Sequence, residues 1–178
     1  MSAHLKPPVS SADHSEGSKE APVVLVEYGD YECPHCGRAY PIIKSIQQQL
    51  GDKLRFVFRN FPLAESHPHA VLAAVASEAA ARQGEFWPMH DLLYENQQAL
   101  DKRSVIQYAS QLGLDTAQFE KDLADENLEA KVELDLESGI RSGVNGTPSF
   151  FVNGEKYNGS WAPDELLEFL QSAAGGGK

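Results

Sequence analysis

Between His67 and Gly143 every apolar repeat in this chain is helical, and strand patterns occur only on either side of that stretch. The order restricts the fold to an α/β domain whose middle is interrupted by helices. Upstream, Val23 to Tyr28 reads as a strand apolar on both faces, which places it centrally in a sheet. A helix follows, with Ala39, Ile42, Ile43, Ile46 and Leu50 at three- and four-residue steps and Gly51 closing it. Leu54 to Phe58 reads as a second strand. The interrupting helices are expected at His69–Gln83, Glu85–Gln97, Lys102–Leu112, Thr116–Ala124 and Asn127–Arg141, with Gly84, Gly113, Asp101 and Asp115 as punctuation. Downstream, Ser149 to Val152 reads as a strand, Asn153-Gly154 as a two-residue hairpin turn and Glu155 to Tyr157 as the returning strand. A last helix covers Ala162 to Ser172, with Leu166, Leu167 and Leu170 on its buried face.

The implied division is a flexible leader at 1–21, an α/β domain at 22–64 and 143–173, an inserted helical subdomain at 65–142 and a disordered tail at 174–178. A chain of 178 residues with 42% hydrophobic content supports one well-buried core. The net charge of -11 supplies no basic stripe for phosphates, which argues against nucleic acid and against docking on an anionic membrane. No apolar run approaches the roughly 20 residues of a membrane span. The Ser-, Pro- and charge-rich leader lacks the apolar core of a secretory signal. A cytoplasmic location is therefore expected, or a periplasmic or other extracytoplasmic one if a signal has been removed.

The only two cysteines, Cys33 and Cys36, enclose Pro34 and His35 between the first strand and the first helix. A pair at this spacing serves either redox chemistry or metal binding. Zinc would need further ligands, and His67-Pro68-His69 is a poor match to the usual ligand spacing. These two histidines are read more simply as a solvated helix start. At a strand-to-helix junction, first-turn amides and the helix dipole favour an anion, and Pro34 is tolerated at a first helical position. The dipole alone contributes about 0.3–1 kcal/mol. His35 can add a hydrogen bond or a positive charge to the Cys33 sulfur. A stabilised thiolate is the reactive species in thiol–disulfide exchange and makes the corresponding disulfide a stronger oxidant.

Two segments carry a family resemblance: Glu27-Tyr28-Gly29-Asp30-Tyr31-Glu32-Cys33-Pro34-His35-Cys36, and Gly143-Val144-Asn145-Gly146-Thr147-Pro148-Ser149-Phe150-Phe151-Val152-Asn153-Gly154. With the distance between them, they resemble the DsbA-like branch of the thioredoxin superfamily over roughly residues 10 to 172. The resemblance implies a thioredoxin fold, a central mixed sheet flanked by helices, with an inserted all-helical subdomain. It implies that Pro148 is cis and lies beside the disulfide, and that Thr147 main-chain groups pair with an extended substrate. It also implies that Glu27 is a buried acid able to relay a proton to or from Cys36. The family's frequent lysine partner has no counterpart in the second strand, which carries Arg55 and Arg59.

The function so implied is disulfide exchange with protein thiols, as an oxidant by the Cys-Pro-His-Cys dipeptide. The alternatives are a disulfide reductase or isomerase using the same residues, or a peptide-binding, chaperone-like module with structural thiols. No cofactor is expected beyond the Cys33–Cys36 disulfide, and no metal. The expected partners are protein substrates with thiols or disulfides and a redox partner, with no nucleic acid and no membrane insertion. Phe86, Trp87 and Trp161 are read as core aromatics, with the lining of a substrate groove beside Phe61-Pro62-Leu63 as the alternative. The charge-rich segment Asp122 to Glu137 is read as a solvated helix face.

Overall fold

The computed structural model describes residues 3–175. Five strands form one sheet in the order β1-β3-β2-β4-β5, with β1 at His14–Gly17, β2 at Val23–Gly29, β3 at Leu54–Asn60, β4 at Ser149–Val152 and β5 at Glu155–Tyr157. Helix α1, Pro34–Leu50, connects the neighbours β2 and β3, the crossover that a parallel pair requires. The pairs β1/β3, β2/β4 and β4/β5 are antiparallel, so the sheet is mixed. β2 and β3 are buried along nearly their whole length, which explains the apolar runs Val23 to Val26 and Phe56 to Phe58. The β4–β5 turn is made by Asn153 at φ 50° and Gly154 at φ 87°, the left-handed pair that a tight hairpin needs. Asn153 Oδ1 also accepts the Val24 N–H at 2.8 Å, and its own N–H donates to the Val24 carbonyl at 2.9 Å, fixing the turn to β2.

The remaining helices are α2 (Ala70–Arg82), α3 (Phe86–Glu95), α4 (Lys102–Gln111), α5 (Thr116–Leu123), α6 (Glu126–Arg141) and α7 (Pro163–Ala174). Each expected element is present, with ends shifted by one or two residues where frayed turns make boundaries loose. α2 owes its helicity to alanine, and its Ala73, Ala76, Ala79 and Ala80 are fully buried. Side chains this small let α3, α4 and α5 pack closely against it.

The chain divides into two compact units: residues 1–29, 38–59 and 137–178, which carry the sheet and α7, and residues 30–37 and 60–136, which carry α2 to α5. The segment 30–37, grouped from the sequence with the sheet, falls with the helices because its polar groups bond to residues 63–97.

The expected flexible leader is corrected by the sheet unit. Residues 14–17 pair with β3, Leu5 is buried with its N–H donating to the Gly154 carbonyl at 2.8 Å, and the Lys6 N–H donates to Ser142 Oγ at 2.8 Å. Arg59 anchors the segment: Nε and Nη2 donate to the two Asp13 carboxylate oxygens at 2.8 and 3.0 Å, Nη2 also to the Pro7 carbonyl at 3.0 Å, and Nη1 to Tyr28 Oη at 2.9 Å. Burial works against its charge, but Asp13 and Tyr28 hold the guanidinium pKa above its ordinary value. At the other end, α7 runs through Ala174, where the disordered tail 174–178 is expected to begin; 176–178 of that expectation lie outside the described residues.

The solvated face expected over Asp122 to Glu137 holds for Glu126, Glu129, Glu133 and Glu137, which are exposed, but not for Asp122, Lys131 and Asp135. Asp122 is buried and accepts from Arg82 at 2.9 Å, and Lys131 bridges Glu78 at 3.0 Å and Asp135 at 3.1 Å. Burial raises the Asp135 pKa despite the neighbouring Lys131 ammonium.

Candidate active site

Cys33 is the residue that caps α1, because its carbonyl accepts the Gly37 N–H at 3.0 Å, the first bond of that helix. Pro34 then occupies the first helical position, where a missing N–H costs nothing. The two cysteines are not joined in a disulfide and both are buried, Cys36 completely and Cys33 at 3% exposure, while Pro34 and His35 are exposed. First-turn amides find no acceptor within their own helix, so the Cys33 position faces the positive end of α1.

The loop before Cys33 is held by side chains to which the sequence reading gave no such role. Asp30 is 1% exposed and its carbonyl accepts the Cys33 N–H at 3.1 Å. The Asp30 carboxylate accepts the Glu32 N–H at 2.8 Å and the Leu63 N–H at 2.9 Å, and meets His67 Nδ1 at 2.8 Å. Glu32 accepts the His69 N–H at 2.7 Å and meets His69 Nδ1 at 3.0 Å. The Gln97 carboxamide donates to the carbonyls of Tyr31 and Cys33, each at 2.9 Å. Tyr31 packs against Tyr94 and His90 of α3, with ring centroids 4.8 and 5.6 Å away.

The reading of His67 and His69 as a solvated helix start is therefore corrected: each faces a carboxylate, and the His67 side chain is only 19% exposed. Desolvation opposes protonation of His67, but the Asp30 carboxylate, with Cys33 and Glu32 adding to it, raises its pKa above the ordinary value. Among the described residues, no three His, Cys, Asp or Glu side chains gather to hold a metal ion.

The other expected residues belong to the sheet unit. Glu27 is 3% exposed on β2, opposite Phe150 of β4 in the sheet register. The Thr147–Pro148 peptide is cis, as the resemblance implies, and both residues are half-buried just before β4. Ser149 closes this loop through Oγ, which donates to the Gly146 carbonyl at 2.7 Å. Trp161 packs on Phe150 and lies under the Arg38 guanidinium, 5.9 Å from the ring centroid. Phe61 and Phe86 are buried, as core aromatics are.

A five-stranded mixed sheet with a Cys-x-x-Cys opening α1 and a cis-proline before β4 agrees with the thioredoxin family model, which matches residues 10–172. This chain belongs to the thioredoxin family. Its inserted helices place it in the DsbA-like branch. Oxidised BdbD from Bacillus subtilis is similar with a TM-score of 0.83 at 25% identity, over 98% of this DsbA-like chain and 100% of that one. A thioredoxin-like oxidoreductase from Silicibacter pomeroyi is similar with a TM-score of 0.81 at 27% identity, covering 92% and 93%. A Na(+)/H(+) antiporter NhaA 1 from Salinispora arenicola is 43% identical over 164 residues, 92% of the DsbA-like chain and 25% of the antiporter. The chain thus spans about a quarter of the length of the curated relatives it matches.

Proposed function

We propose that this chain is a thiol:disulfide oxidoreductase that oxidises protein thiols through Cys33 and Cys36. The observation that carries the reading is Cys33 at the cap of α1, with Cys36 one turn into the same helix. A substrate thiolate attacks the Cys33 sulfur of the oxidised pair and expels Cys36, which takes a proton. A second substrate thiolate then attacks the substrate sulfur of the mixed disulfide, forms the product disulfide and releases Cys33 as a thiolate. The helix end, with His35 beside it in sequence, favours that thiolate and so favours the forward direction.

Thr147 and Pro148 take the substrate-binding role, and Glu27 the proton relay, on the family pattern. Burial of Glu27 supports a carboxyl that exchanges protons rather than one solvated at a strand edge. An oxidant works where disulfides persist, so an oxidising extracytoplasmic compartment suits this activity. The antiporter names are not carried over: the match covers a quarter of those chains, and no helix among the described residues is long and apolar enough to cross a membrane.

The test is equilibration against a graded glutathione buffer together with oxidation of a reduced, unfolded substrate protein. A potential near that of DsbA, about -120 mV, is expected; one near thioredoxin, about -270 mV, would make the protein a reductase. Cys33→Ser should lose substrate oxidation entirely. Retained activity in that variant would favour a peptide-binding module with structural thiols.

A further inference from the structure

Asp30 and Glu32 put two carboxylates within three residues of Cys33, and carboxylates so placed oppose a thiolate. The loop between β3 and α2 answers each of them with an imidazole. His67 Nδ1 stands 2.8 Å from Asp30, and His69 Nδ1 stands 3.0 Å from Glu32. The Asp30 contact is the more enclosed, because that carboxylate is fully buried and the His67 side chain is 19% exposed, against 45% for His69. Asp30 also holds Cys33 directly, through the Cys33 N–H to its carbonyl at 3.1 Å. A charge on His67 is therefore fixed in place relative to the sulfur by two short bonded links.

We propose that His67, held by Asp30, is a positioning residue that balances the charge of the Cys33 thiolate and takes up a proton when the disulfide is reduced. The inference rests on the oxidoreductase reading. A substrate dithiol loses two electrons and two protons as its own disulfide forms. The Cys33–Cys36 bond breaks with those two electrons, Cys33 leaves as a thiolate and Cys36 takes one proton. The second proton goes to the His67 imidazole, which becomes imidazolium opposite Asp30. On oxidation of the pair the thiolate charge disappears and His67 returns the proton.

Asp30 meets the His67 ring directly, and the charges of Cys33 and Glu32 in the redox loop act on it as well. His69, two residues along, is turned to Glu32 and interacts with Asp101 at the start of α4. Of the charges acting on His67, only that of Cys33 changes with the redox state. The electrostatic influence of Cys33 on His67 is in the direction that the proposal requires.

The experiment compares wild type with His67→Gln, which can still donate to Asp30 but carries no charge. Glutathione equilibria are measured at pH 6 and pH 8.5. At pH 6 the variant should hold about 3–10-fold more disulfide at a fixed glutathione ratio, corresponding to half to one unit in the thiolate midpoint. At pH 8.5, where less of the wild-type His67 carries a charge, the difference should shrink. Equal behaviour at both pH values would overturn the proposal and leave His67 a loop tether. NMR titration of the His67 ring in reduced wild type and in Cys33→Ser reads the coupling without any exchange reaction. A lower midpoint in Cys33→Ser is expected, and an unchanged one overturns the proposal. Should wild type fail to equilibrate with glutathione while the His67 midpoint still moves, it is the oxidoreductase reading that fails and not the coupling.

Discussion

Gly37 shows how a single residue near the thiols is chosen by something far away in sequence. It sits one residue beyond Cys36 on α1, where alanine would favour the helix by about 1 kcal/mol. A Cβ at this position would overlap the Gln97 carboxamide, which bonds the Tyr31 and Cys33 carbonyls at 2.9 Å. Displacing it loses two hydrogen bonds of about 1 kcal/mol each, and the crowding adds to the loss. Gly37→Ala should therefore lower stability by about 1–2 kcal/mol in urea unfolding. In a Gln97→Ala background the same change should become neutral or stabilising, because propensity alone then acts. Nothing in the sequence marks Gln97, since its contact with the redox loop spans 64 and 66 residues of chain. Asp30 and Glu32 lay within a legible motif, but their partners His67 and His69 did not.

Among the elements, β1 is the one that the sequence conceals. His14-Ser15-Glu16-Gly17 has no apolar alternation, and an edge strand needs none because only one neighbour pairs with it. What holds the segment is the Arg59 fork on Asp13, with side chains 4% and 11% exposed. Removing one partner of a buried ion pair is more damaging than the pair is stabilising, since the other charge is left stranded. Asp13→Ala should therefore cost about 3 kcal/mol, and amide exchange should show β1 losing protection before β3. The opposite case is β2 and β3, whose burial on both faces writes itself into the sequence as apolar runs. The helices α2 to α6 were legible for the same reason: a 3.6-residue period survives whatever the helix packs against. The inward charges of α6 were not legible, because Lys131 meets Glu78 only when α2 and α6 come together.

For the whole molecule, the clearest pH dependence near neutrality comes from His67. Its folded-state pKa lies above the unfolded value, so its contribution to stability is fully present below about pH 6.5 and is lost as pH rises through the folded value. The stabilities of wild type and His67→Gln should differ at pH 6, by up to about 1 kcal/mol, and converge as pH rises through the folded value. A constant difference across that range would point to packing rather than charge. The sequence by itself determined the order of elements, the helical interruption, the hairpin at Asn153-Gly154 and the thiol pair opening a helix, because local periodicity and turn chemistry act over short spans. Only the tertiary structure decided that His14 to Gly17 join the sheet, that Asp30 to Gly37 group with the helices, and that His67, His69 and Gln97 hold the loop carrying Cys33. Those choices depend on polar partners tens of residues apart, and a hydrogen bond leaves no period in a sequence.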